Sequence, residues 1–239
     1  MDTEAQHTER DRSSPPSDPG DVPHVTEASE DTEERSRSVF MSLLSRLPGG
    51  AYTLTFLLCA AAMLLVSAFV VQPFQIPSGS MEPAFRVGDR VLVNKLAYRF
   101  GSEPRRGDAV VFDGSGYFGD ADYIKRVVGT GGDRVVCCER GRITVNGEPV
   151  DEPYLYPGDA PSQVPFEVVV PEDSLFLLGD HRSASRDSRD HLGEPGGGMI
   201  PVDEVIGRAD WIAWPFGHWT SLKRPDSFAR VPEPGRAHG

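Results

Sequence analysis

Lysine is scarce in this chain of 239 residues: only Lys95, Lys125 and Lys223 occur, against 21 arginines. Arginine keeps its proton in a protein, whereas a buried lysine can give it up. A chain that uses arginine almost everywhere therefore marks its few lysines as candidates for proton chemistry. Cysteine is equally scarce, and three cysteines cannot build a disulfide scaffold. Cys59 falls in an apolar run and is expected to pack as a small hydrophobe. Cys137 and Cys138 are neighbours, expected as two free thiols on opposite faces of a strand, with a vicinal disulfide as the alternative in an oxidising compartment. Positive charge is in deficit, with a formal net charge of −12, which argues against nucleic acid as a partner. The histidines (7, 24, 181, 191, 218 and 238) lack the usual metal-ligand spacings, so neither metal nor cofactor is expected. No GxSxG nucleophile elbow, internal repeat or long amphipathic helix in the C-terminal half is present.

What the chain does hold is sharply zoned. Residues 1–36 are rich in Glu, Asp, Ser, Thr and Pro and hold almost no large apolar side chains. They cannot bury enough surface to fold, so 1–50 is expected to be a disordered, acidic, cytoplasmic tail. Residues 52–71 (YTLTFLLCAAAMLLVSAFVV) carry no charge, and twenty helical residues span about 30 Å, the thickness of the hydrocarbon core. A transmembrane helix over 51–71 is expected. Its long leading tail and the absence of a small-x-small site after it argue against a cleaved signal. Arg35, Arg37 and Arg46 precede it and the first cation after it is Arg86, so the positive-inside rule places the N-terminus in the cytoplasm and the rest outside, with a single pass.

From residue 72 the texture is β. Short runs at 90–96, 108–113, 123–129, 133–138, 142–146, 166–170, 174–178 and 205–214 alternate with Gly, Pro and Asp punctuation. The fold expected is mainly β: an extracytoplasmic β-barrel or packed antiparallel sheets, occupying 72–222, with a small insert at about 135–170. Residues 148–165 read as a surface excursion and 223–239 as a flexible C-terminal tail.

Three clusters have chemical potential. In Pro77-Ser78-Gly79-Ser80-Met81-Glu82-Pro83 a glycine frees the backbone and two prolines stiffen the ends. Such a turn can present a serine hydroxyl beside N–H groups, as acyl transfer requires; a plain turn reads equally well. In Tyr123-Ile124-Lys125-Arg126-Val127-Val128-Gly129, strand alternation sets Tyr123, Lys125 and Val127 on one face. A lysine desolvated there loses proton affinity and becomes a base, while an edge-strand lysine with its head in water is the alternative. In Gly179-Asp180-His181-Arg182-Ser183-Ala184-Ser185-Arg186-Asp187-Ser188-Arg189, Asp180 and Asp187 are expected to pair with Arg182 and Arg189 through planar forks. A solvated polar loop is the other reading.

The order and wording of these clusters, from about Phe74 to Trp214, resemble the bacterial type I signal peptidases of peptidase family S26, membrane-bound Ser/Lys proteases that remove signal peptides. Their SGSMxP box stands here as SGSMEP at 78–83, their RGDxVVF box as Arg106-Gly107-Asp108-Ala109-Val110-Val111-Phe112, their lysine box YIKRVVGxxGD at 123–133, and their GDNRxNSxDSR box at 179–189. The resemblance implies Ser80 as nucleophile and Lys125 as general base, with the Ser78 hydroxyl and the Ser80 N–H as the oxyanion hole. It implies that Ser185 orients the Lys125 amine and that Asp180, Arg182, Asp187 and Arg189 support the site. Phe74, Ile76, Met81, Phe85, Tyr123 and Ile124 match positions that line pockets for small side chains at the first and third positions before the cut. The implied partners are preprotein signal peptides and the lipid bilayer. His181 stands where the pattern has Asn, and Ala84 where a Thr is common after Pro83.

Three rival readings have separate signatures. A Ser-His-Asp hydrolase would use His181, His191 or His218 and survive loss of Lys125. A self-cleaving Ser/Lys regulator would carry a DNA-binding segment. A catalytically inactive, membrane-anchored β-domain would bind preproteins without cutting them.

Overall fold

The computed structural model describes residues 51–235; the acidic tail and its arginines lie outside them. By its internal contacts the chain divides into Met1–Cys59 and Ala60–Gly239. The first unit is described only from residue 51, all of it helical. Helix α1, Ala51–Phe69, has 19 residues, none of them charged, and its Tyr52, Phe56, Met63 and Leu64 are strongly exposed. No helix among the described residues is by itself long and apolar enough to cross a membrane; α1 measures about 28 Å at 1.5 Å per residue.

The second unit is built from twelve strands: β1 Val71–Gln75, β2 Arg90–Asn94, β3 Ala109–Asp113, β4 Asp122–Thr130, β5 Arg134–Glu139, β6 Arg142–Val145, β7 Glu148–Pro149, β8 Phe166–Val169, β9 Ser174–Leu178, β10 Ile200–Pro201, β11 Val205–Trp214 and β12 Thr220–Ser221. Eight of them form one sheet in the order β1-β2-β11-β3-β4-β9-β10, with β12 on β11, and the other four form a second sheet in the order β7-β6-β5-β8. Every pairing is antiparallel. The larger sheet ends in free edges at β1 and β10, so the architecture is packed sheets, and the larger one is not a closed barrel.

Three cores explain why these residues make strands. β3 and the inner half of β4 are buried on both faces, which accounts for near-continuous apolar runs in place of alternation. One core gathers Ile76, Met81, Phe85, Val91, Val93, Val111 and Ile212 on one face of the larger sheet. A second holds Val110, Phe112, Val127, Leu175, Leu177 and Ile200. The third joins Val135, Ile143 and Val145 of the second sheet to Phe176 and Leu178 of β9.

Two expectations are corrected. Residues beyond 222 do not fray throughout: Phe228 and Val231 are buried in the third core, Arg224 pairs with Asp108, and Pro232 O accepts a bond from Asn146 Nδ2 at 2.9 Å. An aromatic and a β-branched side chain inside a Pro- and Arg-rich stretch were enough to dock it. Cys137 and Cys138 are not free thiols but form a vicinal disulfide.

Candidate active site

The segment after β1 turns back on itself through Ile76, whose N–H is tied to Asp89 O at 2.8 Å. It then forms one turn of 3₁₀ helix, Gly79–Met81, closed by Glu82 N donating to Gly79 O at 3.1 Å. Met81 plugs the core beneath it, so Ser80 is held nearly buried at the sheet surface while Ser78 remains exposed. The N–H groups that open such a turn have no partner inside it.

Lys125 sits in the middle of β4, paired to Val110 of β3. Its Nζ lies 3.0 Å from Ser80 Oγ, across 45 positions of sequence, and the residue is 3% exposed. Ser78 Oγ is 3.3 Å from Ser80 Oγ on another side. Burial lowers the lysine's pKa from its ordinary 10.5 to about 8, against the partly restoring fields of Asp187 and Asp180. Those carboxylates do not win because each is already paired. Asp187 accepts from Arg189 Nε and Nη2, both at 2.8 Å, and from Gly179 N at 3.0 Å. Burial would raise the Asp187 pKa, but the Arg189 bonds outweigh it and hold the carboxyl below its usual range.

The other expected pairing is exchanged. Asp180 does not meet Arg182; it takes both arms of Arg126 from β4, and Arg182, itself buried, turns instead to Glu152 and to Pro161 O in the excursion. The register explains this, since Arg126 stands opposite Leu178, two residues before Asp180. Glu152 and Tyr154, whose ring lies 4.3 Å from the Arg126 guanidinium, therefore belong to the support of the site, although nothing in their own sequence context marked them. Gly179 was legible only as part of its motif. A Cβ there would come within 2.6 Å of Ser80 O and 2.2 Å of Ser185 Oγ, so no other residue fits without moving the nucleophile turn.

Ser185 is buried against Gly179, and its Oγ makes no hydrogen bond of good geometry; it is not bonded to Lys125 Nζ, although it is near enough to Asp187 to help lower that group's pKa. Of the residues expected to line pockets, Ile76, Met81 and Phe85 are core, with Phe74 and Ile124 packed on the same cluster. Tyr123 packs on the other side, stacked on Phe112, with its hydroxyl donating to Phe118 O at 3.1 Å. None of the histidines among the described residues bonds to Ser80 Oγ: His181 meets Gly79 O, His191 meets Glu194, and His218 meets Asp89. No group of three or more metal-ligating side chains occurs among the described residues.

This serine-lysine pair lies within a region, residues 50–214, that matches the family described as Signal peptidase, peptidase S26. The chain belongs to that family. Its relatives include a probable signal peptidase I of Mycobacterium leprae, 34% identical over 206 residues that cover 63% of this chain and 71% of the relative. A signal peptidase I of Mycobacterium tuberculosis is 37% identical over 199 residues, 63% of this chain and 67% of the relative. Signal peptidase IB of Staphylococcus aureus is 32% identical over 181 residues, 69% and 89%. In this chain residues 123–133 supply both the buried amine and, at the next position, the arginine that binds Asp180.

Proposed function

We propose that this signal peptidase cuts preproteins by a Ser80/Lys125 dyad. The observation that carries the reading is the 3.0 Å contact between a nearly buried lysine amine and the serine hydroxyl. With the amine neutral, the Ser80 hydroxyl donates to Nζ. As Oγ attacks the scissile carbonyl, Lys125 takes the proton and then hands it to the leaving amine, and the mature protein departs from an acyl-enzyme. Lys125 next draws a proton from water as that water attacks the acyl group, and returns it to Ser80 Oγ as the ester bond breaks and the signal peptide leaves. The Ser80 N–H and the Ser78 hydroxyl receive the oxyanion. Asp180, Arg182, Asp187 and Arg189 hold the loop, and Ser185, buried beside Asp187, orients the amine. Phe74 and Ile124, partly buried over the core of Ile76, Met81 and Phe85, shape the pockets for small residues at the first and third positions before the cut, and Tyr123 packs on the other core.

The enzyme is placed at the outer membrane surface as a single-pass protein with a cytoplasmic N-terminus. The sequence supports this: no charge lies between Arg46 and Glu82, an uncharged run long enough to provide the roughly 20 apolar residues of a span. Nine residues from Val71 to Ser80, fully extended, reach about 30 Å at most, which keeps the chemistry close to the bilayer. Trp214, Phe216 and Trp219 are half exposed or more and form a patch at the end of β11, with Trp211 also exposed on β11; these are residue types that favour the lipid headgroup layer.

Preprotein cleavage by the detergent-solubilised full chain tests the reading. Ser80→Ala and Lys125→Ala are expected to abolish cleavage while leaving the fold intact. Full activity in Lys125→Ala would favour a histidine base, and an inactive parent enzyme would favour a binding protein.

A further inference from the structure

His181 departs from the Asn of the family's pattern, and it touches the nucleophile turn twice. Its backbone N–H donates to Ser80 O at 3.0 Å, and its ring Nδ1 lies 3.2 Å from Gly79 O. A carbonyl oxygen only accepts, so Nδ1 carries a proton. The ring itself is stacked on Tyr156, with centroids 3.8 Å apart and planes within 7°, and the Tyr156 N–H is anchored to Asp180 O at 3.1 Å.

We propose that His181 is a positioning residue for Ser80, acting through its ring N–H on Gly79 O; this rests on Ser80 being the nucleophile. Lys125 is fixed by a central strand, whereas Ser80 rides on a single 3₁₀ turn with the exposed Ser78 on its open side. The distance between amine and hydroxyl therefore depends on how firmly that turn is held. Two carbonyls in a row, Gly79 and Ser80, are gripped by the side chain and backbone of one residue, and Tyr156 keeps the gripping ring from rotating. Misplacing a reacting atom by about 1 Å costs on the order of a hundredfold in rate, so a loosened turn shows itself in the chemical step.

The donor and the ring can be separated. In Asn the amide nitrogen is bonded to Cγ, as Nδ1 is in His, so His181→Asn keeps a donor at that place and loses the stack. His181→Phe keeps the stack and loses the donor. In the full-length, detergent-solubilised enzyme, His181→Ala and His181→Phe are expected to lower kcat roughly 10- to 100-fold with KM within about twofold, and His181→Asn to recover most of the lost kcat. All three are expected to melt close to the parent. The proposal is overturned if His181→Phe cleaves at the parent rate, if His181→Asn stays as slow as His181→Ala, if the loss appears in KM alone, or if the three rates simply follow the three melting temperatures. Ser80→Ala run alongside separates the two claims. An active Ser80→Ala removes the nucleophile assignment itself. An inactive one beside a fully active His181→Ala removes only the positioning role.

Discussion

Arg126 holds Asp180 with two arms, Nε to Oδ1 at 2.7 Å and Nη2 to Oδ2 at 2.5 Å, while its third nitrogen donates to Gly107 O at 2.9 Å. Neighbouring residues on a strand face opposite ways, so this pair pins β4 from one side while Lys125 works on the other. Asp180→Asn leaves a buried guanidinium without its counter-charge. The expected cost is about 3–5 kcal/mol of folding stability, read from urea unfolding, with activity lost in step. A change of less than about 1 kcal/mol would mean that the pair is dispensable.

The lysine pKa of about 8 sets the pH dependence. The base works only when neutral, so kcat/KM is expected to rise about tenfold per pH unit on the acid side and to level off above about 8. A flat profile from roughly pH 6 to 10 contradicts a lysine base. Stability carries the same signature. Because the folded pKa lies below the ordinary 10.5, the unfolded chain binds more protons between the two values, and stability rises with pH across that window. At about 1.4 kcal/mol per tenfold change in proton affinity, the gain is about 3 kcal/mol. Below about 8 both states are protonated and the full cost of burying the charge remains. Lys125→Met is expected to flatten this rise.

How much of this was legible in sequence follows from how local the information is. The strand at residues 174–178 was bounded to the residue, because its apolar run is cut off by Asp173 and Gly179. β1, β7, β10 and β12 were missed, four strands of two to five residues that pair only because a partner edge is present. Ser80 and Lys125 could be named from their motifs, but their contact spans 45 positions and no local pattern encodes it. The exchange of partners between Asp180 and Arg182 was hidden for the same reason. Either arginine suits either carboxylate in chemistry, and only the register of β4 against β9 decides.

Phe228 lies beyond the region matched to the family, which ends at residue 214, yet it packs in the third core and against Gly107. That glycine has φ +88°, and a Cβ on it would fall 2.9 Å from the Phe228 ring and 2.7 Å from Arg224 Cγ. The C-terminal segment therefore braces the loop whose carbonyl receives Arg126. Phe228→Ala is expected to cost about 3–5 kcal/mol. Removing residues 223–239 should lower the melting temperature by roughly 10 °C. A truncated chain that melts with the parent would show that the segment is not part of the folded unit.

The three tryptophans of the chain, Trp211, Trp214 and Trp219, are all exposed, Trp214 and Trp219 in the aromatic patch and Trp211 on β11. Tryptophan fluorescence of the reconstituted enzyme therefore reports on that patch and on the exposed β11 residue Trp211. If the patch rests in the headgroup layer, where aromatic rings with one polar end are stable, lipids brominated along their acyl chains quench the emission, and bromination near the headgroup quenches more than bromination near the chain end. Emission that stays red-shifted and unquenched in vesicles would place the patch in water and leave it no part in holding the enzyme to lipid. Replacing Trp214 and Trp219 by serine should leave quenching of the remaining Trp211 weaker, since the rings flanking Phe216 would no longer hold that edge of the sheet against the lipid.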